Sequence, residues 1–433
     1  MLEINKVLWA IATIMLLGSG LYFTVKLNFF QFNIKEIIKS LSKQQVSSKG
    51  ISPFQTLNMS LASRIGVGSL AGVSLSIYYG GIGSIFWMWI SALISSTNAF
   101  SESLLGVIYR VKDEDNIYQG GPSFYIDKGL GKRTLSILYA VIIIMAYIFG
   151  FLTIQANTIV KSLNQVFNIN PYLIGAIIAI ITFLIIIKGV KSIAAVTTKL
   201  VPLMSFIYII VALYIIIMNI TLIPSIIIRI IQAAFNFKSI SAGFITTLII
   251  GIQRGIFSNE AGIGSGAVAA SVADTNNPVN QGYIQMIGVY FTTLVICTLT
   301  ALIVILTDYK DLYISNVNGI EITQYAFNYH LGEVGNYLIM ISIILFAFST
   351  IITGYFYGES NFKYLFKKLK KSTLFAFKII VLLILMLGSI LSSSAVWKVV
   401  DFFVVLMAII NVYALINLRK IVIDEYKFYK AKT

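Results

Sequence analysis

The chain has 433 residues, of which 58% are hydrophobic and 11% charged, and its mean hydropathy is +0.88. Soluble domains carry roughly 25% charged residues, so this composition excludes an ordinary soluble protein and indicates a polytopic membrane protein built from helices. The formal net charge is +15, but the 32 basic residues are concentrated in particular loops, which argues against nucleic acid as the partner.

Eleven segments are predicted to cross the bilayer, because each approaches or supplies the roughly 20 apolar residues that a crossing requires. The first is predicted to be a retained helix, since it is too long for a signal peptide and has no small-residue cleavage site. The eleven segments are residues 6–30, 53–79, 82–109, 135–161, 171–187, 193–219, 240–273, 283–307, 334–358, 374–391 and 396–418.

The loops between these segments differ in charge from one side to the other. One side holds 22 of the 32 basic residues and the opposite side holds six. The positive-inside rule places the basic side and the C-terminus in the cytoplasm and, with eleven spans, the N-terminus outside. We therefore expect a multi-pass protein of the cell membrane, with anionic lipid as the partner of its cytoplasmic loops.

The predicted fold is all-α: a five-plus-five inverted-repeat transporter with one extra N-terminal transmembrane helix. Removing the first span leaves five spans on each side of a connector, and an odd number per half forces the two halves into opposite orientations. The predicted divisions are residues 1–50 (extra helix and cytoplasmic loop), 51–222 (first repeat), 223–239 (connector), 240–418 (second, inverted repeat) and 419–433 (cytoplasmic basic tail).

The second and seventh spans are interrupted by glycine where a membrane helix should be continuous. The interruptions are Arg-Ile-Gly-Val-Gly-Ser at 64–69 and Phe-Ser-Asn-Glu-Ala-Gly-Ile-Gly-Ser-Gly at 257–266. Unwound backbone is tolerated at bilayer depth only where it is buried in protein or lines a cavity. Paired breaks in corresponding halves indicate a transporter's binding site. Close helix packing through small residues is the alternative explanation.

Several motifs resemble those of a known transporter family, in order along nearly the whole chain. They are Gly-Gly-Ile-Gly-Ser-Ile-Phe-Trp-Met-Trp at 80–89, Gly-Gly-Pro-Ser-Phe-Tyr-Ile at 120–126, Gln-Ala-Asn at 155–157, Arg-Gly-Ile-Phe-Ser-Asn-Glu-Ala-Gly-Ile-Gly-Ser at 254–265, and Val396-Trp397 with Asp401 and Met407-Ala408. They closely resemble signature motifs of the alanine/glycine:cation symporter family. The resemblance implies the inverted-repeat fold of the amino acid–polyamine–organocation superfamily. It also implies uptake of a small neutral amino acid, driven by Na⁺ or less often protons, without an organic cofactor.

An amino acid zwitterion needs separate partners for its carboxylate and its ammonium group. Backbone N–H groups of Val67, Gly68 and Ser69, backed by a half-helix N-terminus, suit the carboxylate. Carbonyls in the second break suit the ammonium, and Gln155 is placed to hydrogen-bond the ligand across the cavity. The predicted substrate-binding residues are Gly66, Val67, Gly68, Gln155, Phe257, Ser258, Asn259, Gly262 and Gly354.

For Na⁺, the co-transported ion, the adjacent hydroxyls of Ser349 and Thr350 match a sodium site of the resembled fold. The resemblance implies that carbonyls of Ala62 and Ile65 in the first broken helix complete the site. The residues alone equally allow both hydroxyls to bond back to their own helix.

Charged residues within membrane spans are functional candidates because each costs about 3 kcal/mol or more at the bilayer centre. We expect an Arg–Glu pair that holds or gates the breaks, formed from Arg64, Arg254 and Glu260. For the other three charged residues, Glu102, Glu359 and Asp401, the preferred explanation is a static ion pair or snorkelling at a helix end.

The chain departs from the family pattern at three places. The first break reads Gly66-Val67-Gly68-Ser69 where the family has Gly-Thr-Gly-Asn, Phe151-Leu152 replaces Gly-Asn, and Thr353-Gly354 replaces Gly-Trp. Loss of that tryptophan leaves room for a side chain larger than that of alanine, unless Phe151 or Tyr355 refills the space. Substrate identity is therefore the least constrained prediction.

Two other functional classes are weighed against a symporter. A facilitative channel or uniporter for small zwitterions is the alternative, but the chain has no filter motif and inverted halves suit alternating access better. An intramembrane enzyme would need a nucleophile–base pair or a cluster of metal ligands. The chain has little to build one from, because it contains one cysteine, Cys297, and one histidine, His330. We therefore predict a symporter and not an enzyme.

Overall fold

The structure is a computed structural model and describes residues 2–42, 50–235, 243–307, 319–366 and 369–432. Within these ranges its regular elements are helices, apart from one antiparallel hairpin of β1 (Val111–Lys112) and β2 (Tyr118–Gln119). Residues 240–242 of the seventh predicted span lie outside the described ranges. So do six of the basic residues behind the predicted orientation, namely Lys43, Lys49, Lys238, Lys310, Lys367 and Lys368.

The α-helices follow one another along the chain with short connections. They are α1 (Leu2–Lys26), α2 (Ile34–Ser42), α3 (Pro53–Arg64), α4 (Val73–Gly80), α5 (Ser84–Ile108), α6 (Pro122–Leu130), α7 (Arg133–Ile144), α8 (Leu152–Asn164), α9 (Pro171–Ile186), α10 (Val190–Met218), α11 (Ile223–Ala234), α12 (Gly243–Asn259), α13 (Ser265–Ser271), α14 (Pro278–Tyr290), α15 (Thr298–Ile305), α16 (Gly319–Leu365), α17 (Lys371–Gly388), α18 (Ser393–Asn417) and α19 (Arg419–Lys432). Helix α16 is kinked at Gly332, where φ is +62°.

Five shorter helical stretches interrupt or join these elements. Two are 3₁₀ turns, Phe30–Phe32 and Ile220–Leu222. Three are π-helical, a geometry that occurs frequently at functional sites. They are Gly68–Gly72 between α3 and α4, Met145–Phe151 between α7 and α8, and Phe291–Cys297 between α14 and α15.

Seven described helices are long and apolar enough to cross a membrane, and an eighth span results when the bent pair Pro53–Arg64 and Gly68–Gly80 is counted as one. The other three predicted spans also coincide with helices. Helix α5 has 25 residues but is rich in serine, α9 has only 16 residues, and α12 and α13 are separated by an irregular turn. Each of the eleven predicted spans therefore corresponds to a helix or to an interrupted helix.

The first broken span begins with a strong cap and ends in unwound backbone. Ser52 Oγ accepts from the N–H of Gln55 at 3.1 Å, Gln55 Oε1 accepts from the N–H of Ser52 at 2.8 Å, and Pro53 occupies the first turn. At Ile65 the backbone leaves the helix with φ −87° and ψ 66°. After the break the chain continues at an angle of 53°.

The second broken span unwinds between Asn259 and Ser265. Three residues of this turn have left-handed backbone, with φ of +56° at Glu260, +87° at Gly262 and +91° at Gly264. Glycine adopts such values without strain, whereas a glutamate there must be held by its surroundings. Side-chain contacts of Glu260 therefore have to stabilise the turn.

The two broken spans lie at the centre of the bundle. Helix α5 packs against α12, α13 and α14, while α3 packs against α10, α14 and α16. The extra helix α1 lies outside this core against α5 and α18. Helices α9 and α17 pack together at the periphery and expose apolar side chains such as Leu184 and Leu383, as expected of a surface that faces lipid.

Candidate functional site

The two breaks meet in the protein interior. Ser69 Oγ, in the π-helical stretch after the first break, lies 2.8 Å from Ser258 Oγ, in the last turn of α12 before the second break. A Cβ added at Gly68 would lie 2.9 Å from Cδ1 of Phe257, so only glycine allows this approach. All nine predicted substrate residues are buried, which means that the site is closed to bulk water in this conformation.

Gln155 reaches the first break from the neighbouring helix α8. Its Oε1 accepts from the N–H of Val67 at 3.2 Å, and a Cβ added at Gly66 would lie 3.2 Å from its Nε2. The N–H of Ser69 donates to the carbonyl of Gly66 at 3.1 Å. Two of the three N–H groups expected to be open for a carboxylate, those of Val67 and Ser69, therefore have protein partners here, because the closed form satisfies its buried donors internally.

The predicted sodium residues Ala62, Ser349 and Thr350 come together. The hydroxyls of Ser349 and Thr350 lie 3.1 and 2.9 Å from the carbonyl oxygen of Ala62. Both hydroxyls are also within bonding distance of the carbonyl of Phe346, at 2.9 and 3.0 Å. A hydroxyl that donates to Phe346 keeps its lone pairs for a cation, so back-bonding and cation binding are compatible. Ile65 is buried next to this group, and its carbonyl stays a predicted ligand.

Glu260 holds both broken spans. Its Oε1 accepts from Ser63 Oγ at 2.6 Å and its Oε2 accepts from Ser265 Oγ at 2.7 Å. Ser63 belongs to α3 and Ser265 begins α13, so one carboxyl group connects the two unwound regions. These contacts explain the left-handed backbone at Glu260.

Arg64 makes no ion pair within 4 Å in the described part of the chain, contrary to the expected Arg–Glu pair. Its Nη1 donates to the carbonyl of Gln285 at 2.9 Å. A Cβ added at Gly288 would collide with the same nitrogen, and one added at Gly266 would lie 2.6 Å from Nη2. Two glycines on adjacent helices thus make room for a buried guanidinium group.

The ion pair of Arg254 is with Asp401 of α18 and not with a glutamate. Nη1 and Nη2 of Arg254 donate to the two carboxylate oxygens at 3.2 and 2.9 Å, and the guanidinium lies 4.8 Å from the ring centroid of Trp397. Trp9 of the extra helix donates to the carbonyl of Asp401 at 3.2 Å. The pair joins α12, ahead of the second break, to α18, and Trp9 links it to α1. Both charges are almost fully buried and need each other.

Beneath this pair lies an aromatic stack that was not predicted from the sequence. Phe257 is 4.8 Å from Trp397 and 4.9 Å from Phe151, and Phe151 is 4.6 Å from Tyr147, measured between ring centroids. Tyr147 and Phe151 lie in a π-helical stretch, which shifts the register of side chains and leaves no mark in the sequence. The stack covers one side of the closed site.

Leu152 and Tyr147 pack against Gly354. A Cβ added there would lie 2.8 Å from Cδ1 of Leu152 and 3.1 Å from Cδ1 of Tyr147. Phe151 stacks on Tyr147, and Tyr355 lies 6.3 Å from Phe377 between ring centroids. That Phe151 or Tyr355 refills the space of the missing tryptophan stays a prediction.

Two predicted residues of the second break direct polar groups away from the first break. Asn259 Nδ2 donates to Thr293 Oγ1 at 3.0 Å, and the carbonyl of Gly262 accepts from Asn411 Nδ2 at 2.9 Å. Their role is to anchor the turn to helices around it. Asn411 was missed, although a lone amide in an apolar span is a signal, since a polar group there needs a partner.

The whole chain matches a known family. A model described as the sodium:alanine symporter family matches residues 1–433. Similar proteins include the amino-acid carrier protein AlsT of Bacillus subtilis, 38% identical over 424 residues that cover 98% of this chain and 90% of AlsT. They also include the probable sodium/glutamine symporter GlnT of Bacillus subtilis, 39% identical with 98% and 89% covered. The sodium/alanine symporter AgcS of Methanococcus maripaludis is 32% identical with 98% and 96% covered.

Solved structures resemble this one in fold. The structure of MhsT in complex with L-phenylalanine superposes with a TM-score of 0.59 at 15% identity, covering 85% of this chain and 89% of MhsT. A Na⁺-coupled sialic acid symporter gives a TM-score of 0.53 at 13% identity, with 96% and 82% covered. These likenesses confirm the predicted inverted-repeat transporter fold. The chain therefore belongs to the sodium:alanine symporter family: it is a multi-pass membrane symporter that couples a cation to a small amino acid, and it is not an enzyme.

Proposed function

We propose that this protein uses the inward Na⁺ gradient to take up a small neutral amino acid such as alanine or glutamine. One observation carries the proposal: the hydroxyls of Ser349 and Thr350 meet the carbonyl of Ala62 only a few residues before the break at Gly66–Gly68. Cation and substrate would therefore bind to one short stretch of backbone. Ordering of that stretch by the cation would prepare the substrate site, which couples the two binding events.

Substrate binding would replace contacts that the closed form makes with itself. A carboxylate entering the first break would take the N–H of Val67 from Oε1 of Gln155. The amide nitrogen of Gln155, which lies next to Gly66, would then donate to the carboxylate. The ammonium group would face the carbonyls around Phe257 and Ser258, and the aromatic stack would exclude water above it.

The Arg254–Asp401 pair and the stack below it would form the outer gate. Arg254 lies in α12 ahead of the break, and Asp401 lies in the first half of α18, on the side of the break that the charge distribution assigns to the exterior. The orientation with an external N-terminus and a cytoplasmic C-terminus is part of this proposal, as are the repeat boundaries 51–222 and 240–418. Anionic lipid is the proposed partner of the basic cytoplasmic loops.

The test is uptake into proteoliposomes. Purified protein is reconstituted, and accumulation of labelled L-alanine and L-glutamine is followed under an inward Na⁺ gradient, with an inward K⁺ gradient as control. We expect accumulation above the external concentration with Na⁺ only. Flux that stops at equal concentrations, or that is indifferent to Na⁺, would identify a uniporter or channel instead.

A further inference from the structure

Three charged side chains outside the predicted sodium site are buried in the core. Arg64 of α3, Glu102 of α5 and Glu260 of the second break are all fully buried or nearly so. A Cβ added at Gly266 would lie 2.6 Å from Nη2 of Arg64 and 3.3 Å from Oε1 of Glu102, which places these atoms on either side of one glycine. If both carboxyl groups were ionised, two negative charges would share one guanidinium group in the buried core.

The two carboxyl groups differ in their hydrogen bonds. Both oxygens of Glu260 accept from serine hydroxyls, which suits an ionised carboxylate. Only Oε2 of Glu102 is used, accepting from the N–H of Gly264 at 3.0 Å and from Asn411 Nδ2 at 2.8 Å. Oε1 of Glu102 is buried and accepts no hydrogen bond from the residues that the structure describes. An ionised oxygen left in that state is far more costly than a neutral hydroxyl, because a charge loses more on leaving water.

Arg64 does not supply the missing donor. Its Nη1 donates to the carbonyl of Gln285, while its Nε and Nη2 have no partner and neither carboxyl group lies within ion-pair distance in the described structure. The other titratable groups that interact electrostatically with Glu102 are Tyr125 of α6, Tyr139 of α7 and Tyr357 of α16. A neutral tyrosine does not balance the charge.

We propose that Oε1 of Glu102 is a proton-binding site, separate from the sodium site, and that its proton exchanges with water during the transport cycle. In the closed form the O–H bond is intact. The proton comes from water on one side of the membrane and returns to water on the other, so no other reactant is needed.

Exchange follows from what Glu102 connects. Its Oε2 bonds to the N–H of Gly264, at the start of α13, and to Asn411 of α18, whose amide also donates to Gly262 and whose oxygen accepts from the hydroxyl of Tyr125. A movement that separates α13 from α18 breaks these bonds and admits water to the carboxyl group. The proton then leaves, because a solvated glutamate is ionised at neutral pH.

The site itself is tested without transport. Infrared difference spectra of the purified protein are recorded between acidic and alkaline pH for the wild type, Glu102→Gln and Glu260→Gln. We expect a titrating carboxylic acid C=O band in the wild type and in Glu260→Gln, and its loss in Glu102→Gln. A wild type without that band, or a band that survives Glu102→Gln, would overturn the proposal. Glu102→Asp serves if the glutamine variant does not fold, and should shift the band without abolishing it.

Proton exchange rests on the proposed function and has its own test. Proteoliposomes that contain a pH indicator, with clamped membrane potential and an inward Na⁺ gradient, receive L-alanine or L-glutamine. We expect the lumen to acidify as the wild type takes up substrate, and Glu102→Gln to take up substrate without acidification. Equal acidification by both proteins, or wild-type uptake with no acidification, would refute the exchange. Absence of all uptake would count against the proposed function and leave the infrared result standing.

Discussion

The N–H of Val67 donates to Oε1 of Gln155 at 3.2 Å, which joins the unwound part of the first broken span to the middle of α8. Both groups are buried, and in the proposed mechanism a substrate carboxylate displaces Gln155 to reach the backbone. This bond would then make substrate binding and the closed conformation depend on the same amide.

Replacement of Gln155 with alanine should weaken substrate binding. Loss of one partner in a buried hydrogen bond costs about 1–3 kcal/mol, so the KM for L-alanine at saturating Na⁺ should rise roughly tenfold. Thr158→Val is the matched control, because Thr158 lies on the same helix and its hydroxyl donates only to the carbonyl of Ile154. An unchanged KM in Gln155→Ala would remove this residue from the site.

Loss of the two hydroxyls next to Ala62 should weaken sodium activation. In a Ser349→Ala, Thr350→Val double variant, the Na⁺ concentration for half-maximal uptake should rise by about tenfold or more, since two oxygen ligands of a hard cation are removed. Ser342→Ala is the control, as its hydroxyl donates to the carbonyl of Leu338 in the same helix. Identical Na⁺ dependence in the double variant and the wild type would place the cation elsewhere.

The Arg254–Asp401 pair should keep the outer gate closed. Removal of one partner of a buried ion pair costs about 3–5 kcal/mol, so Asp401→Asn should favour the open conformation. Labelling of the single cysteine, Cys297, measures this opening. Cys297 is buried, and its Sγ lies 3.1 Å from Ser258 Oγ. We expect an impermeant maleimide to label Cys297 at least about tenfold faster in Asp401→Asn, given the energy lost. The control Glu321→Gln, which removes a partly exposed ion pair with Lys161, should label like the wild type. Equally slow labelling in Asp401→Asn would exclude a gating role.

The contact between α2 and α19 should weaken at acidic pH. Lys430 of α19 pairs with Glu36 of α2, and Tyr283 donates to Glu36 at 2.9 Å. Burial alone would raise the pKa of Glu36, but the hydrogen bonds from Lys430 and Tyr283 and the charge of Lys430 bring it below 4.5. Burial lowers the pKa of Lys430, and the bond with Glu36 more than reverses this.

The signs of these two shifts define a pH window. The lowered pKa of Glu36 stabilises the contact above pH 4.5, and this is lost as the pH falls through its folded value. The raised pKa of Lys430 stabilises it below pH 10.5, and this is lost as the pH rises through its folded value. Amide hydrogen exchange in α19, corrected for intrinsic rates, should be constant between these limits and faster in Glu36→Gln. The increase in the exchange rate should be modest. The pair is partly exposed, so it stabilises the contact by about 1 kcal/mol or less. Unaltered exchange in Glu36→Gln would show that the pair does not hold α19.

Much of the site followed from residues that act locally. Glycines at 66, 68, 262 and 264 marked backbone that leaves the helix, and the structure has left-handed φ or close side-chain contacts at these places. Ser349 and Thr350 were singled out because their position matches a sodium site of the resembled fold, since adjacent hydroxyls also occur in other spans, as at Thr197 and Thr198. The roles of Asn411 and Tyr147 could not be predicted in this way, because each depends on which neighbouring helix the residue faces.

The sequence by itself determined the eleven spans, the two breaks and the family, because hydrophobic length and the conformational freedom of glycine belong to each segment on its own. Only the tertiary structure decided the partners: Asp401 for Arg254, Ser63 and Ser265 for Glu260, and Leu152 with Tyr147 for the space at Gly354. Except for Ser265 and Glu260, these pairings join residues far apart in the chain. No local property of the sequence specifies them, because which side chains meet depends on how the helices pack against one another.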